Sequence, residues 1–314
     1  MLGRTAGGLY WLFRYFERSE NVARLIEAGF RIAETRTGSM AGEEWASVLA
    51  TAGADGAYRA RHDGYDGETV VDFLLRDREG TASVMAMVEA ARTNARSART
   101  ALTREVWEAV NDCWMTLRDL TAKPVAVGDL PAALNTIRQQ GALVRGALHG
   151  TMLRNDIYDF CRIGTFLERA DATARLLDVK YYVLLPSVTH VGTSLDNAQW
   201  ESVLRSVSAL QAYRWSTGGE MAPAAIARFL ILDPQMPRSL AFCVEKLSAN
   251  LGYLADDYGA RRPCHDEVDR ACALVRGRDI DAIFEEGLHE FVRRFIAQLG
   301  ALGAAVERDY RFTG

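Results

Sequence analysis

No stretch of the 314-residue chain approaches the roughly twenty consecutive apolar residues that a membrane-crossing helix needs. A secretory leader is not expected either, because Arg14, Glu17 and Arg18 break up the short apolar runs near the N-terminus. Cysteine is sparse: Cys113, Cys161, Cys243, Cys264 and Cys272 are odd in number, scattered and never spaced as CxxC. That argues against a disulfide framework and a zinc site and fits a reducing compartment, so the cytoplasm is the expected location. A surplus of one charge sign is missing as well. With 37 Lys and Arg against 41 Asp and Glu, the net charge of −4 gives no reason to expect nucleic acid or an anionic membrane as partner.

Catalytic signatures are equally scarce. Gly7-Gly8 and Gly218-Gly219 lack the residues that make a phosphate cradle, and no Walker loop or GxSxG elbow occurs. The five histidines form neither HExxH nor HxH. Glu286-x-x-His289 is one half of a four-helix di-metal signature, and no Glu-His pair near Thr136 and Gln139 completes it. No metal and no other cofactor is therefore expected, and the chain reads more as a scaffold or binding partner than as a self-sufficient enzyme.

What is present is helical patterning. Apolar residues recur at three- and four-residue steps over Leu9–Ile32, Thr81–Leu120, Ile157–Leu185 and Gln199–Tyr213, while alternating strand patterns are nearly absent. Tyr181-Tyr182-Val183-Leu184-Leu185 continues a helical stripe up to Pro186 and is read as the last turns of a helix. All seven prolines sit at joints, with loops expected near 37–42, 53–67, 123–128, 186–197 and 217–222.

Self-similarity organises these helices. Phe16-Glu17-Arg18-Ser19-Glu20-Asn21-Val22-Ala23-Arg24 aligns with Leu167-Glu168-Arg169-Ala170-Asp171-Ala172-Thr173-Ala174-Arg175, an offset of 151 from Glu17 to Glu168. Trp45 to Leu49 aligns with Trp200 to Leu204, Phe73 to Asp77 with Phe229 to Asp233, and Asp129-Leu130 with Asp279-Ile280. In the third register Glu89 meets Glu245 and Asn94 meets Asn250. Four ordered blocks with slightly drifting offsets predict an all-α, internally duplicated helical bundle of two pseudo-symmetric halves, residues 1–150 and 151–314.

Each half opens on a Glu-Arg helix. At about 100° per residue, Leu12, Phe16, Ala23, Ile26 and Phe30 share an apolar arc that takes in or borders Glu20 and Glu27, with Glu17 and Arg24 beside it. Arg14 and Arg18 point away. In the second copy Ile163, Leu167, Ala174, Leu177 and Tyr181 form the arc, Asp171 and Asp178 lie in it, and Glu168 and Arg175 flank it. Carboxylates on an apolar face need partners. Two readings stay open. One is a salt-bridge ladder, since Arg24 and Arg175 each follow an acid by four residues. The other is a polar site in which Glu17, Glu20, Glu168 and Asp171 hold a cation or amine and Arg24 and Arg175 hold a carboxylate or phosphate. Secondary candidates are Asn94, Arg96, Arg99, Arg104, Glu105 and Asn111 along one predicted helix. Arg92, Arg96 and Arg99 share a face that reads more readily as a solvated stripe than as an anion site. Asp77 and Asp233 read as N-caps or loop anchors, with Arg238 close behind the latter.

Leu9 to Leu25, Phe166 to Arg175 and Leu177 to Tyr182 together resemble the bacterial alpha-E proteins, an all-helical group named for its Glu-Arg motif. Asn94-Ala95-Arg96, Arg104 to Asn111 and Leu232-Asp233-Pro234-x-x-Pro237-Arg238-Ser239 are similar to later motifs of that family. The likeness departs at Gly7, where an acid is expected, and at Phe13, where glycine is common. It implies Glu17-Arg18 and Glu168-Arg169 as the motif pairs. It also implies a setting beside a circularly permuted ATP-grasp protein, with a transglutaminase-like protein nearby, in ATP-dependent amide-bond formation on a peptide or small metabolite. The expected role is an accessory or substrate-presenting subunit. The alternative is an enzyme with a polar active site between the two Glu-Arg helices, Glu17 and Glu168 acting as acid–base groups.

Overall fold

The computed structural model describes residues 1–33, 39–183, 194–219 and 221–313, and every regular element among them is helical. By proximity of its residues the chain divides into two compact units, Met1–Thr165 with Arg311–Gly314, and Phe166–Tyr310. The division falls inside a helix, fifteen residues past the repeat boundary read from the sequence (165 against 150).

The first unit is arranged around α1 (Gly3–Ala33), which packs against α2 (Ser39–Thr51), α4 (Gly67–Arg76), α5 (Val84–Ser97) and α7 (Leu130–Thr151). The short α3 (Asp55–Arg59) follows α2, and α6 (Arg104–Leu120) bridges α5 and α7. The expected arc of α1 is the core face: Leu9, Leu12, Phe13, Phe16, Ala23 and Ile26 are buried, while Phe30 is half-buried. Gly7 stands where an added Cβ would lie 2.9 Å from the Cβ of Phe312, so an acidic side chain has no room there. Phe13, far from leaving a gap, fills the core.

α8 (Asp156–Val183) begins in the first unit and runs into the second. Its arc residues Ile163, Leu167, Ala174 and Leu177 are buried, and Tyr181–Val183 close the helix as expected; Leu184 and Leu185 lie outside the described residues. In the second unit α11 (Pro223–Leu232) contacts α9 (Ser194–Ser206), α10 (Leu210–Thr217), α12 (Leu240–Tyr258) and α14 (Ile280–Glu286). α13 (Pro263–Val275) packs on α12 and on α15 (Leu288–Asp309). No described helix is long and apolar enough to cross a membrane.

Several boundaries differ from the sequence reading. The expected loop at 37–42 is helical from Ser39, that at 53–67 contains α3, and that at 186–197 gives way to α9 at Ser194. The expected helix Thr81–Leu120 starts only at Val84 and breaks after Ser97 into a 3-10 turn, Arg99–Ala101. The chain restarts as α6 where the Thr103 hydroxyl accepts from the Val106 amide at 3.4 Å. The stretch 199–213 breaks at Ser208, which adopts a left-handed φ of 54°.

Asp77 and Asp233 anchor loops and do not cap the helices that follow. Asp233 Oδ1 accepts from the amides of Gln235 (2.7 Å) and Met236 (3.1 Å), and Asp77 accepts from those of Glu79 (3.4 Å) and Gly80 (3.1 Å). The caps are serines six residues on. Ser239 Oγ accepts from Phe242 N at 3.0 Å and donates to the Asp233 carbonyl at 2.5 Å. Ser83 Oγ accepts from Ala86 N at 3.1 Å and donates to the Asp77 carbonyl. Because Ser239 is fully buried, Ser239→Ala strips both the α12 cap and the loop tie. An expected loss of about 1–2 kcal/mol follows, read as a shift in the urea midpoint at unchanged slope.

Candidate polar site on the Glu-Arg helices

α1 carries its two acids into the protein. Glu17 is 1% exposed and Glu20 is fully buried, positions at which an unpaired carboxylate would be very costly. Both are answered from within the first unit. Arg24 Nη2 reaches Glu20 Oε2 at 3.3 Å. From α7, Arg145 Nη1 bonds Glu20 Oε1 and lies 3.9 Å from Glu17 Oε2. Two turns beyond Glu20 on α1, Glu27 is shared between Arg31 (3.2 Å) and Arg138 of α7. Gly141 lets the helices come this close: a Cβ there would sit 2.7 Å from Glu20 Cδ and 2.9 Å from Glu20 Cγ. Arg138, Gly141 and Arg145 are spaced three and four apart, so one face of α7 holds the whole set. Arg18 is half-buried on the flank of α1.

α8 holds a looser version. Glu168 is buried, while Arg175 Nε bonds Asp171 Oδ2 at 2.7 Å with Arg175 42% exposed. Burial works against the charge on Arg175. The Asp171 hydrogen bond and the charges of Asp171, Glu168 and Asp178 outweigh it and raise the guanidinium above its usual range. Asp178 Oδ1 meets His289 Nδ1 of α15 at 2.5 Å. Arg169 stacks 5.3 Å from the Phe166 ring and donates to the Pro237 carbonyl at 3.4 Å; Thr173 Oγ1 donates to the Arg238 carbonyl at 2.9 Å. The loop carrying Asp233 and the buried Arg238 is thereby drawn onto the second Glu-Arg helix.

The secondary candidates do not lie along one helix. Asn94 and the exposed Arg96 are on α5, exposed Arg99 is on the 3-10 turn, and Arg104, Glu105 and Asn111 are on α6. They help to pin α5 to α6: Asn111 Oδ1 accepts from Arg92 Nε at 2.8 Å, and Arg92 lies 4.1 Å from the Trp114 ring. Arg99 sits 5.4 Å from the Trp107 ring. Elsewhere Glu286 is held by Arg278 at 2.7 Å and by Arg294, and the described residues hold no group of three or more His, Cys, Asp or Glu suited to a metal. All five cysteines are buried, and burial pushes the thiols of Cys113 and Cys264 up to about 12. Asp309 adds to the effect at Cys264. Such thiols are poor nucleophiles at neutral pH.

Arg145, Arg138, Gly141 and the pairing of His289 with Asp178 were not foreseen. A signal was available: the Glu27–Arg138 and Asp178–His289 pairs each span 111 residues, so the 151-residue offset carries one pair onto the other.

Fold and site define an all-helical protein whose two longest helices present inward-facing acids beside a Glu-Arg dipeptide. The chain belongs to the Alpha-E family, described as a predicted alpha-helical domain with a conserved ER motif, whose model matches residues 1–310. The ER pairs of this chain are Glu17-Arg18 and Glu168-Arg169. It is similar to uncharacterised proteins of Mycobacterium bovis and of two strains of Mycobacterium tuberculosis, at 23% identity over 317 residues. Each match covers 95% of this chain but 35% of the relative, so the chain spans about a third of the length of the curated relatives it matches. No solved structure matches.

Proposed function

We propose that this chain is an accessory helical subunit that presents a peptide or small-metabolite substrate to a circularly permuted ATP-grasp ligase, which forms the amide bond. The observation that carries the non-catalytic part is the closed ladder of the first unit. A general acid or base must reach a substrate proton, yet Glu17 and Glu20 lie below the surface with Arg145 and Arg24 as their partners. The length of the curated relatives supports a module that works alongside other segments, since the matched region is only 35% of each. The ligase, the transglutaminase-like second partner and the cytoplasmic location come from the family resemblance and the cysteine pattern.

We also read residues 1–150 and 151–314 as diverged copies. The 111-residue spacing shared by Glu27–Arg138 and Asp178–His289 supports this, as do the Asp77–Ser83 and Asp233–Ser239 loops with their shared bonding pattern.

Affinity capture of the tagged full chain from its host at low salt, read by mass spectrometry, is expected to recover an ATP-grasp protein in near-stoichiometric amount. Recovery of none overturns the ligase reading. Glu17→Gln is expected to lower thermal stability; abolished turnover with stability intact would instead make Glu17 a catalytic group.

A further inference from the structure

We propose that the cleft along α4 binds a short extended peptide with free termini, its amino end at Glu68, its carboxylate end at Arg78 and its backbone against His62. The site lies wholly in the first unit. It rests on the substrate-presenting reading, of which it names the cargo and the place, but not on the ligase.

The cleft has a volume of about 700 Å³. Glu68, Asp72 and Arg76 line it at four-residue steps, so one face of α4 forms its length. Most of the charges around it answer one another. Arg61 Nη1 and Nη2 each donate to Asp77 at 2.9 Å, and Nη1 also lies 3.4 Å from Glu79. That guanidinium holds the Asp77 carboxyl below the usual carboxylate range. Arg76 Nη1 meets Asp72 at 2.6 Å, while its Nε donates to the Thr121 carbonyl at 3.0 Å and fastens α4 to the end of α6. Two lining charges are left over. Glu68 and Arg78 are exposed, and neither has a hydrogen bond or ion pair among the described residues. One is in the first turn of α4 and the other just past its end, roughly 15 Å apart at a helical rise of about 1.5 Å per residue.

His62 lies between the two. Its ring is half-buried, stacked 4.4 Å from Tyr58 and edge-on to Phe73 at 6.1 Å, so its orientation is set by the protein. No group among the described residues hydrogen-bonds the ring nitrogens. A neutral imidazole presents one donor and one acceptor, the complement of the carbonyl and amide of a peptide unit. The buried Phe73 gives the cleft an apolar lining beside it. Length then selects the ligand. An extended chain advances about 3.3–3.6 Å per residue, so about four residues reach from Glu68 to Arg78, and a single amino acid cannot touch both. Pro124 also borders a second cleft of about 500 Å³, which leaves room for a longer chain. An amine at the acidic end and a carboxylate at Arg78 complete the two unanswered charges.

The test uses the full chain with ¹⁵N-labelled histidine, the His62 imidazole signals being those missing from His62→Phe. Tetraalanine with free termini is titrated at low ionic strength, beside its N-acetylated and C-amidated forms and alanine itself. A saturable shift with tetraalanine is expected, with a Kd on the order of millimolar, and none with alanine over the same range. Acetylation and amidation are each expected to weaken binding about threefold, the size of an exposed charge pair. The acetylation effect is expected to vanish in Glu68→Gln and the amidation effect in Arg78→Gln. Both side chains are exposed and without partners, so both variants are expected to keep the parent melting temperature. No saturable shift at His62, or alanine binding as tightly as tetraalanine, overturns the site. So does a cap that leaves affinity for the parent chain unchanged, or one whose effect persists in its variant. The capped peptides are compared on the parent chain itself, so the decision stands even if a variant fails to fold. The titration contains no ligase: a bound peptide without a captured ligase keeps the cleft and removes the ligase, and the reverse result removes the cleft alone.

Discussion

Arg145→Ala is expected to destabilise the protein by about 3 kcal/mol, a drop in midpoint of roughly 6–12 °C, while Arg175→Ala costs about 1 kcal/mol or less. The asymmetry follows from burial. Arg145 is 20% exposed and answers two carboxylates that are 1% and 0% exposed, so its loss leaves charge in the core with Arg24 alone beside Glu20. Arg175 is 42% exposed and its partner Asp171 19%, so water takes over much of what the guanidinium supplied. Adding Glu20→Gln to Arg145→Ala is expected to recover part of the loss, because the stranded charge is then gone and the two changes are not additive. Equal costs for Arg145→Ala and Arg175→Ala in thermal melts would show that the ladder of α1 is no tighter than that of α8, and would remove the main support for a non-catalytic reading.

Helix faces were legible because burial follows the 3.6-residue period. The arcs through Leu12 and Phe16, and through Ile163 and Leu167, are the buried ones. Breaks without Gly or Pro were not legible. Ala95 to Ala101 reads as unbroken helix, and its interruption is marked only by the Thr103 hydroxyl capping α6. Likewise α9 stops at Ser206 just before a left-handed Ser208, a residue type with no composition signal for that conformation.

The site was half legible for the same reason. Periodicity placed Glu20 and Arg24 on the right face and four residues apart, so the intrahelical bond could be read directly. It could not supply Arg145, 125 residues from Glu20, because a face does not name its neighbour. That is why ladder and ligand site stayed balanced in the sequence. Asp233 read equally as an N-cap or a loop anchor, and it is the loop anchor. Asp followed by Pro looks like a helix start, but the stretch to the next helix is long enough for Ser239 to take the cap while Asp233 ties the loop.

Gly164→Ala is the other change with a large expected effect. α8 crosses α1 so closely at Gly164 that a Cβ there would press on the Tyr10 carbonyl oxygen and lie 3.0 Å from its carbon and 3.2 Å from Tyr10 Cα. A side chain could rotate aside; a helix backbone cannot. The methyl must therefore push the helices apart, and a loss of about 3 kcal/mol is expected, the upper end for overpacking. Gly146→Ala supplies the opposite sign. Gly146 is exposed inside α7 with nothing within 4 Å of its would-be Cβ, so alanine there gains helix propensity worth up to about 1 kcal/mol. Thermal melts of the two variants side by side decide the point. If Gly164→Ala is neutral or stabilising like Gly146→Ala, then α8 does not rest on the backbone of α1, and the close approach that carries the chain from α1 to the helix bearing Glu168 is wrong.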